Sequence, residues 1–85
     1  MAHKILNEDW SDYDDRKIRD RRDARDFSCT EAWEVNYLVD KIKKAYPLYS
    51  DQNIRSAIGT CCAILGAPHP RRPFVECVMK RLRGW

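Results

Sequence analysis

Residues 27–47, FSCTEAWEVNYLVDKIKKAYP, decide the fold, because both ends and both sides of one amphipathic helix are written in them. Ser28 followed by Glu31 has the spacing of a capping box, in which hydroxyl and carboxylate each take up a backbone N–H left over at a helix start. Phe27 stands at the position of a hydrophobic staple. From Val35 onward, Leu38, Val39, Ile42, Ala45 and Tyr46 recur at intervals of three and four and so share one stripe, with Ala32 at its edge. That stripe is the core face. Glu31 and Glu34 in the early turns, and Lys41, Lys43 and Lys44 in the late ones, complement the helix macrodipole. Pro47 has no N–H for a further turn and disfavours helical geometry at Tyr46, so the helix stops there.

The opposite side carries Trp33, Tyr37, Asp40 and Lys44, about 180° from the first stripe. Two large aromatics rarely face water together. This side therefore predicts a cover, either another element or a second copy of the chain. The alternative is an aromatic and basic strip that takes a peptide or stacks nucleobases.

Downstream, Ser50 caps a second helix that runs to residues 63–65, and Tyr49 and Ile54 repeat the staple. Ile54, Ala57, Ile58, Cys61 and Leu65 form its core stripe, flanked by Cys62 and Ile64, and Gly66 supplies the stop. Its far side is built from the small residues Ser56, Gly59, Thr60 and Ala63. A glycine inside a helix costs about 1 kcal/mol relative to alanine, so Gly59 predicts the close approach of another helix. The connection APHPRRP, residues 67–73, is extended under its three prolines. Pro73 then opens a third helix to residue 83, with Phe74, Val75, Val78, Met79 and Leu82 inward and Glu76, Lys80 and Arg83 outward. Gly84 closes it. The chain thus reads as all-α, a small three-helix bundle with helices at 28–46, 50–65 and 73–83 in a domain spanning 27–85.

Residues 1–26 read as a charged, partly ordered N-terminal segment. Ile5, Leu6 and Trp10 are too few for a core of their own but enough to dock onto one. In residues 12–26, six acids and six bases alternate, interrupted only by Tyr13, Ile18 and Ala24. Aspartate is a poor interior helix residue, and each i,i+4 charge pair contributes only tenths of a kcal/mol. The run is therefore expected to be a solvated lead-in, partly helical or extended, pinned by its few apolar residues against the Trp33/Tyr37 side. Its balanced charge offers phosphate a nearly neutral field, which argues against an arginine-rich arm for nucleic acid.

Eighty-five residues bound a single small domain, and a net charge of +3 is a weak hint of an anionic partner. No apolar run approaches the ~20 residues of a membrane span, and no signal-peptide core is present, so the expected location is cytoplasmic with no membrane partner. There Cys29, Cys61, Cys62 and Cys77 are expected to stay reduced as small core residues. Cys61, Cys62, His69 and Cys77 hold the atom types zinc uses, but without a C-x-x-C spacing. Adjacent cysteines also diverge by about 100° around a helix, so no metal or cofactor is expected. His69 has no triad-spaced partner and no glycine loop cradles a phosphate, so no enzyme is expected either.

Two functions remain. The first is a non-catalytic protein-interaction or structural module, joined to an unidentified protein or to itself as a homodimer, through Trp33, Tyr37 and Lys44 or through Gly59 and Ala63. The second is a small nucleic-acid-binding protein, since residues 28–85 carry nine bases against five acids. Lys41, Lys44, Gln52, Asn53, Arg55, Arg71, Arg72, Lys80 and Arg83 are its candidate contacts, with the first two helices joined through YPLYS in the manner of a helix-turn-helix.

The segment EAWEVNYLVDKI, the capped helix SDQNIRSAIGT and the later apolar helix together resemble a family of short bacterial all-α domains of unknown function. That family carries Glu-Val-x-Tyr-Trp in a first helix and a Ser-led second helix ending near Val-Gly. Glu34, Val35 and Tyr37 match, Leu38 stands in place of the tryptophan, and Ala57, Ile58 and Gly59 echo the later part. The resemblance covers about residues 26–82, interrupted by the longer APHPRRP connection. It implies a compact helical bundle without an assigned activity and transfers no catalytic or binding residue.

Overall fold

A computed structural model describes residues 2–21, 26–66 and 69–83. In chain order these form α1 (Ala2–Leu6), α2 (Ser11–Arg19), β1 (Asp26–Phe27), α3 (Ala32–Ala45), α4 (Asp51–Ile64), β2 (His69–Pro70) and α5 (Arg71–Arg83). The helical class is as expected, but there are five helices among the described residues, and the two short strands pair antiparallel with Phe27 opposite His69. Gly84 and part of the charged run, residues 22–25, lie outside the described residues. None of the helices is long and apolar enough to cross a membrane.

The three expected helices are present, with α3 starting late. Its N-cap is Glu31, which makes no side-chain capping bond, so the box of Ser28 and Glu31 does not form. The reason is competition. Phe27 is held extended in β1, Cys29 is tied to α4, and the backbone N–H of Ser28 donates instead to Glu34 Oε1 at 2.9 Å. Phe27, freed from stapling, stacks on Phe74 with ring centroids 4.5 Å apart. α4 forms as its sequence reads: Ser50 Oγ accepts from the Asn53 N–H at 3.1 Å, and Ile54, Ala57, Ile58 and Cys61 are buried. α5 begins two residues before Pro73, because the first four N–H groups of a helix have no partner within it and a proline among them loses nothing. Phe74, Val75, Val78, Met79 and Leu82 are all buried.

Residues 2–21 are where the structure departs most from expectation. α1 and α2 are not a solvated lead-in, because Ile5, Trp10 and Tyr13 belong to the same apolar core as α3, α4 and α5. In α2 the burial falls on Tyr13 and Lys17, while Asp12, Asp15, Arg16 and Arg19 point outward. With Trp10 they are spaced three and four apart, so one face of the charged run is a docking stripe. The Trp10 indole N–H closes the turn between α1 and α2 on the Ile5 carbonyl at 2.9 Å.

Candidate functional site

Under α2 lies the densest polar contact of the molecule. Lys17 and Glu34 are 3% and 0% exposed, and the ammonium lies 3.0 Å from Glu34 Oε1 and 3.1 Å from Oε2. The same carboxylate accepts from the Tyr13 hydroxyl at 2.6 Å and from the Ser28 N–H, while Lys17 also donates to the Asp26 carbonyl at 2.9 Å. A buried carboxylate and a buried ammonium are each tolerable only when partnered in this way. Burial first, and then the hydrogen bond to Glu34, push the Tyr13 phenol far above its ordinary range. Glu34 is therefore a structural acceptor and not the dipole residue its early-turn position suggests. Within the Glu-Val-x-Tyr stretch, Tyr37 is a second strut, donating to the Asp9 carbonyl at 3.1 Å.

The aromatic side of α3 is sandwiched by the chain itself. The Tyr13 ring sits 5.3 Å from both Trp33 and Tyr37, and Trp10 lies 5.4 Å from Tyr37. Cations close the outer faces: the Arg16 guanidinium is 4.2 Å from the Trp33 ring and that of Arg71 is 4.5 Å from Trp10. Arg71 also pairs with Asp14. Trp33 and Tyr37 are thus half-buried and not a strip open to a peptide or nucleobases, and Arg71 is a clamp within the fold. Burial and the nearby Asp12 and Asp9 carboxylates raise the Tyr37 phenol as well.

The cysteines are not reduced core thiols. Cys29 is bonded to Cys62 and Cys61 to Cys77, with Cα atoms 6.1 and 6.2 Å apart, and no cysteine is free. The divergence of two adjacent cysteines around a helix, which disfavours a shared metal, here sends each sulfur to a different partner. Among the described residues no group of three or more His, Cys, Asp or Glu is placed to hold a metal ion. His69 is buried beside Phe74, with ring centroids 5.4 Å apart.

The remaining candidate residues fall on three outward surfaces. Gln52, Asn53, Arg55, Ser56, Gly59 and Ala63 are exposed along α4. The close approach expected at Gly59 is absent among the described residues, because α4 packs its neighbours against the other side and nothing described lies within 4 Å of where a Gly59 side chain would start. Arg55 is held by Asp51 at 2.7 Å. Lys41 donates to the Asp9 carbonyl and shares a shallow hollow with Lys44, Glu8, Asp9, Asp12 and Asp40. Arg72, Lys80 and Arg83 are exposed on α5. A groove of about 540 Å³ between the N-terminal helices and the start of α5 is lined by Leu6, Ile18, Pro70 and Arg72.

Sequence reasoning missed the Tyr13–Lys17–Glu34 network and both disulfides. The spacing of Trp10, Tyr13 and Lys17 was the available signal for the first; nothing local signals the second. No protein-family model, no curated protein and no solved structure matches the chain.

Proposed function

We propose that the chain is a non-catalytic interaction module that meets a second copy of itself through the outward side of α4. One observation carries this reading: from Ser56 to Ala63 that side is small, with Ser56, Gly59 and Ala63 exposed and Thr60 half-buried, and among the described residues nothing lies within 4 Å of where a Gly59 side chain would start. A helix side without large side chains lets another backbone approach closely, and it justifies a glycine that the helix otherwise disfavours. The Trp33/Tyr37 side, the other surface considered for self-association, is occupied by α2. The buried titratable groups Tyr13, Lys17 and Glu34 satisfy one another, which favours a scaffold over a reaction centre.

Sedimentation equilibrium from about 10 to about 500 µM tests this, since self-association is set by protomer concentration. The expected result is a dimer that Gly59→Arg converts to monomer while the helical signal is kept. A wild-type monomer across the whole range removes the homodimer.

The compartment belongs to the same reading. Structural disulfides persist where thiols are not held reduced. The pairing of every cysteine therefore supports an oxidising location over the cytoplasm that composition suggests. Alkylation of the protein in intact cells before lysis tests it, and modification of all four cysteines would return the protein to the cytoplasm.

A further inference from the structure

Three helix ends converge at one pole of the molecule. α3 finishes there, and α4 begins there after the connection of residues 46–50. α4 runs back towards the start of α3, because Cys62 near its far end is bonded to Cys29. α5 starts at that far end, where Phe74 stacks on Phe27, and packs along α4 through the Cys61–Cys77 bond, so its last turn returns to the first pole. α1 reaches it too: the Lys4 ammonium donates to the Ala45 carbonyl at 3.3 Å and lies 5.0 Å from the Tyr46 ring.

Cations outnumber acids at this pole. Lys43 on α3, Lys80, Arg81 and Arg83 on α5, and Lys4 beside them are all exposed. The acids nearby are Asp51, which Arg55 already holds, and Glu76, one turn back on α5. Lys44 faces the neighbouring hollow with Glu8, Asp9, Asp12 and Asp40 and is left out of the count. A helix C-terminus favours one or two cations on its own. Two such ends at one pole, with the exposed amides of Gln52 and Asn53 at the start of α4, make a larger and more patterned field than either helix dipole calls for.

We infer that this pole binds the phosphate backbone of double-stranded DNA, which the oxidising location proposed above makes DNA outside the cytoplasm, with the start of α4 facing the major groove. The lysines and arginines neutralise phosphates and release counterions, and the Gln52 and Asn53 side chains offer both donors and acceptors to what lies between the strands. B-form DNA is favoured over duplex RNA because its major groove, about 12 Å wide, admits a helix end whereas that of A-form RNA does not. Gln52 lies on the same side of α4 as Gly59, two turns earlier, whereas Lys43, Lys80 and Arg81 belong to other helices, so the charge variants test DNA binding without altering the self-association surface.

Fluorescence anisotropy of the oxidised full chain with a labelled DNA duplex tests the inference. A dissociation constant in the ~10⁻⁶–10⁻⁴ M range at about 50 mM salt is expected, with a log–log salt slope of about −3 to −4 for roughly four phosphates. Lys80→Glu with Arg81→Glu, and separately Lys43→Glu, should each weaken binding about tenfold or more and flatten the slope by about one per charge. Arg19→Glu, exposed on α2, should change neither. Binding weaker than about 10⁻⁴ M at low salt, or a flat salt dependence, overturns the inference. So does an Arg19→Glu variant as impaired as the pole variants. Equal affinity for duplex RNA or for polyglutamate overturns the choice of DNA as partner.

Discussion

Changing Glu34 to glutamine keeps the shape of the side chain and removes one charge from a place solvent does not reach. The Lys17 ammonium, 3% exposed, then keeps the Asp26 carbonyl at 2.9 Å, the Tyr13 ring at 5.5 Å and a neutral amide, with no countercharge among them. Breaking a buried pair in this way costs about 3–5 kcal/mol, because the surviving charge keeps its desolvation penalty. A small domain is stable by about 5–15 kcal/mol, so roughly a fifth or more of the total is at risk. Lys17→Met should cost a similar amount for the mirror reason, softened because Glu34 retains the Tyr13 hydroxyl at 2.6 Å and the Ser28 N–H at 2.9 Å. The two losses should not add: the double variant Glu34→Gln with Lys17→Met should lie near either single, giving a coupling about the size of one single loss, ~3–5 kcal/mol. Urea unfolding followed by far-ultraviolet circular dichroism, fitted with a common slope, measures all four corners of the cycle. Singles below about 1 kcal/mol that sum in the double would mean the pair is hydrated and weak, as exposed pairs are. In that event α2 is not docked as described.

Three further outcomes follow from the same geometry. The raised phenol of Tyr13 makes a contribution to stability that is complete below the unfolded value near pH 10 and is lost above it, at about 1.4 kcal/mol per pH unit. In an alkaline titration its phenolate should therefore appear together with the loss of helical signal, and earlier appearance would place Tyr13 in water. Gly59→Ala should stabilise the monomer by about 0.5–1 kcal/mol, since the added methyl meets nothing within 4 Å and the helix gains propensity; a lower melting temperature would show that something does cover that side. Removing the Cys29–Cys62 bond as a paired serine variant should cost about 3–4 kcal/mol from the loop it closes across 33 residues of sequence. Thermal melts at matched concentration measure that loss, and an unchanged melting temperature under oxidising conditions would indicate that the bond is not formed.

The three helices from residue 32 onward were legible because what specifies them is local. A stripe of Leu38, Val39 and Ile42, or of Phe74, Val78 and Leu82, is read from spacing alone, and the Ser50 cap needs only Asn53 to complete it. Trp33 and Tyr37 call for a cover, and the apolar residues of the N-terminal segment are the expected one; Trp10 does pack there, against Tyr37. The α2 stripe itself is not legible because its buried residues include a lysine, whose value in the core depends on Glu34, 17 residues away. Ser28 misled for the same reason: a carboxylate that reaches across the loop outcompeted the one three residues on. Gly59 predicts the close approach of another helix without saying whether that helix is in the same chain or a second copy, and the structure puts it on the surface. The sulfur pairings join residues 33 and 16 positions apart, beyond anything that periodicity reports.

Cys61 and Cys62 also say something about the order in which this chain matures. Four cysteines admit three pairings, and the decoy that swaps these neighbours differs from the native one by a slip of a single residue. In an uncoiled segment the two thiols are nearly equivalent targets. Once α4 has wound, they look about 100° apart, one towards α5 and the other towards the loop before α3. Oxidation after winding therefore favours the native pairing, because the helix itself holds the two thiols apart in direction.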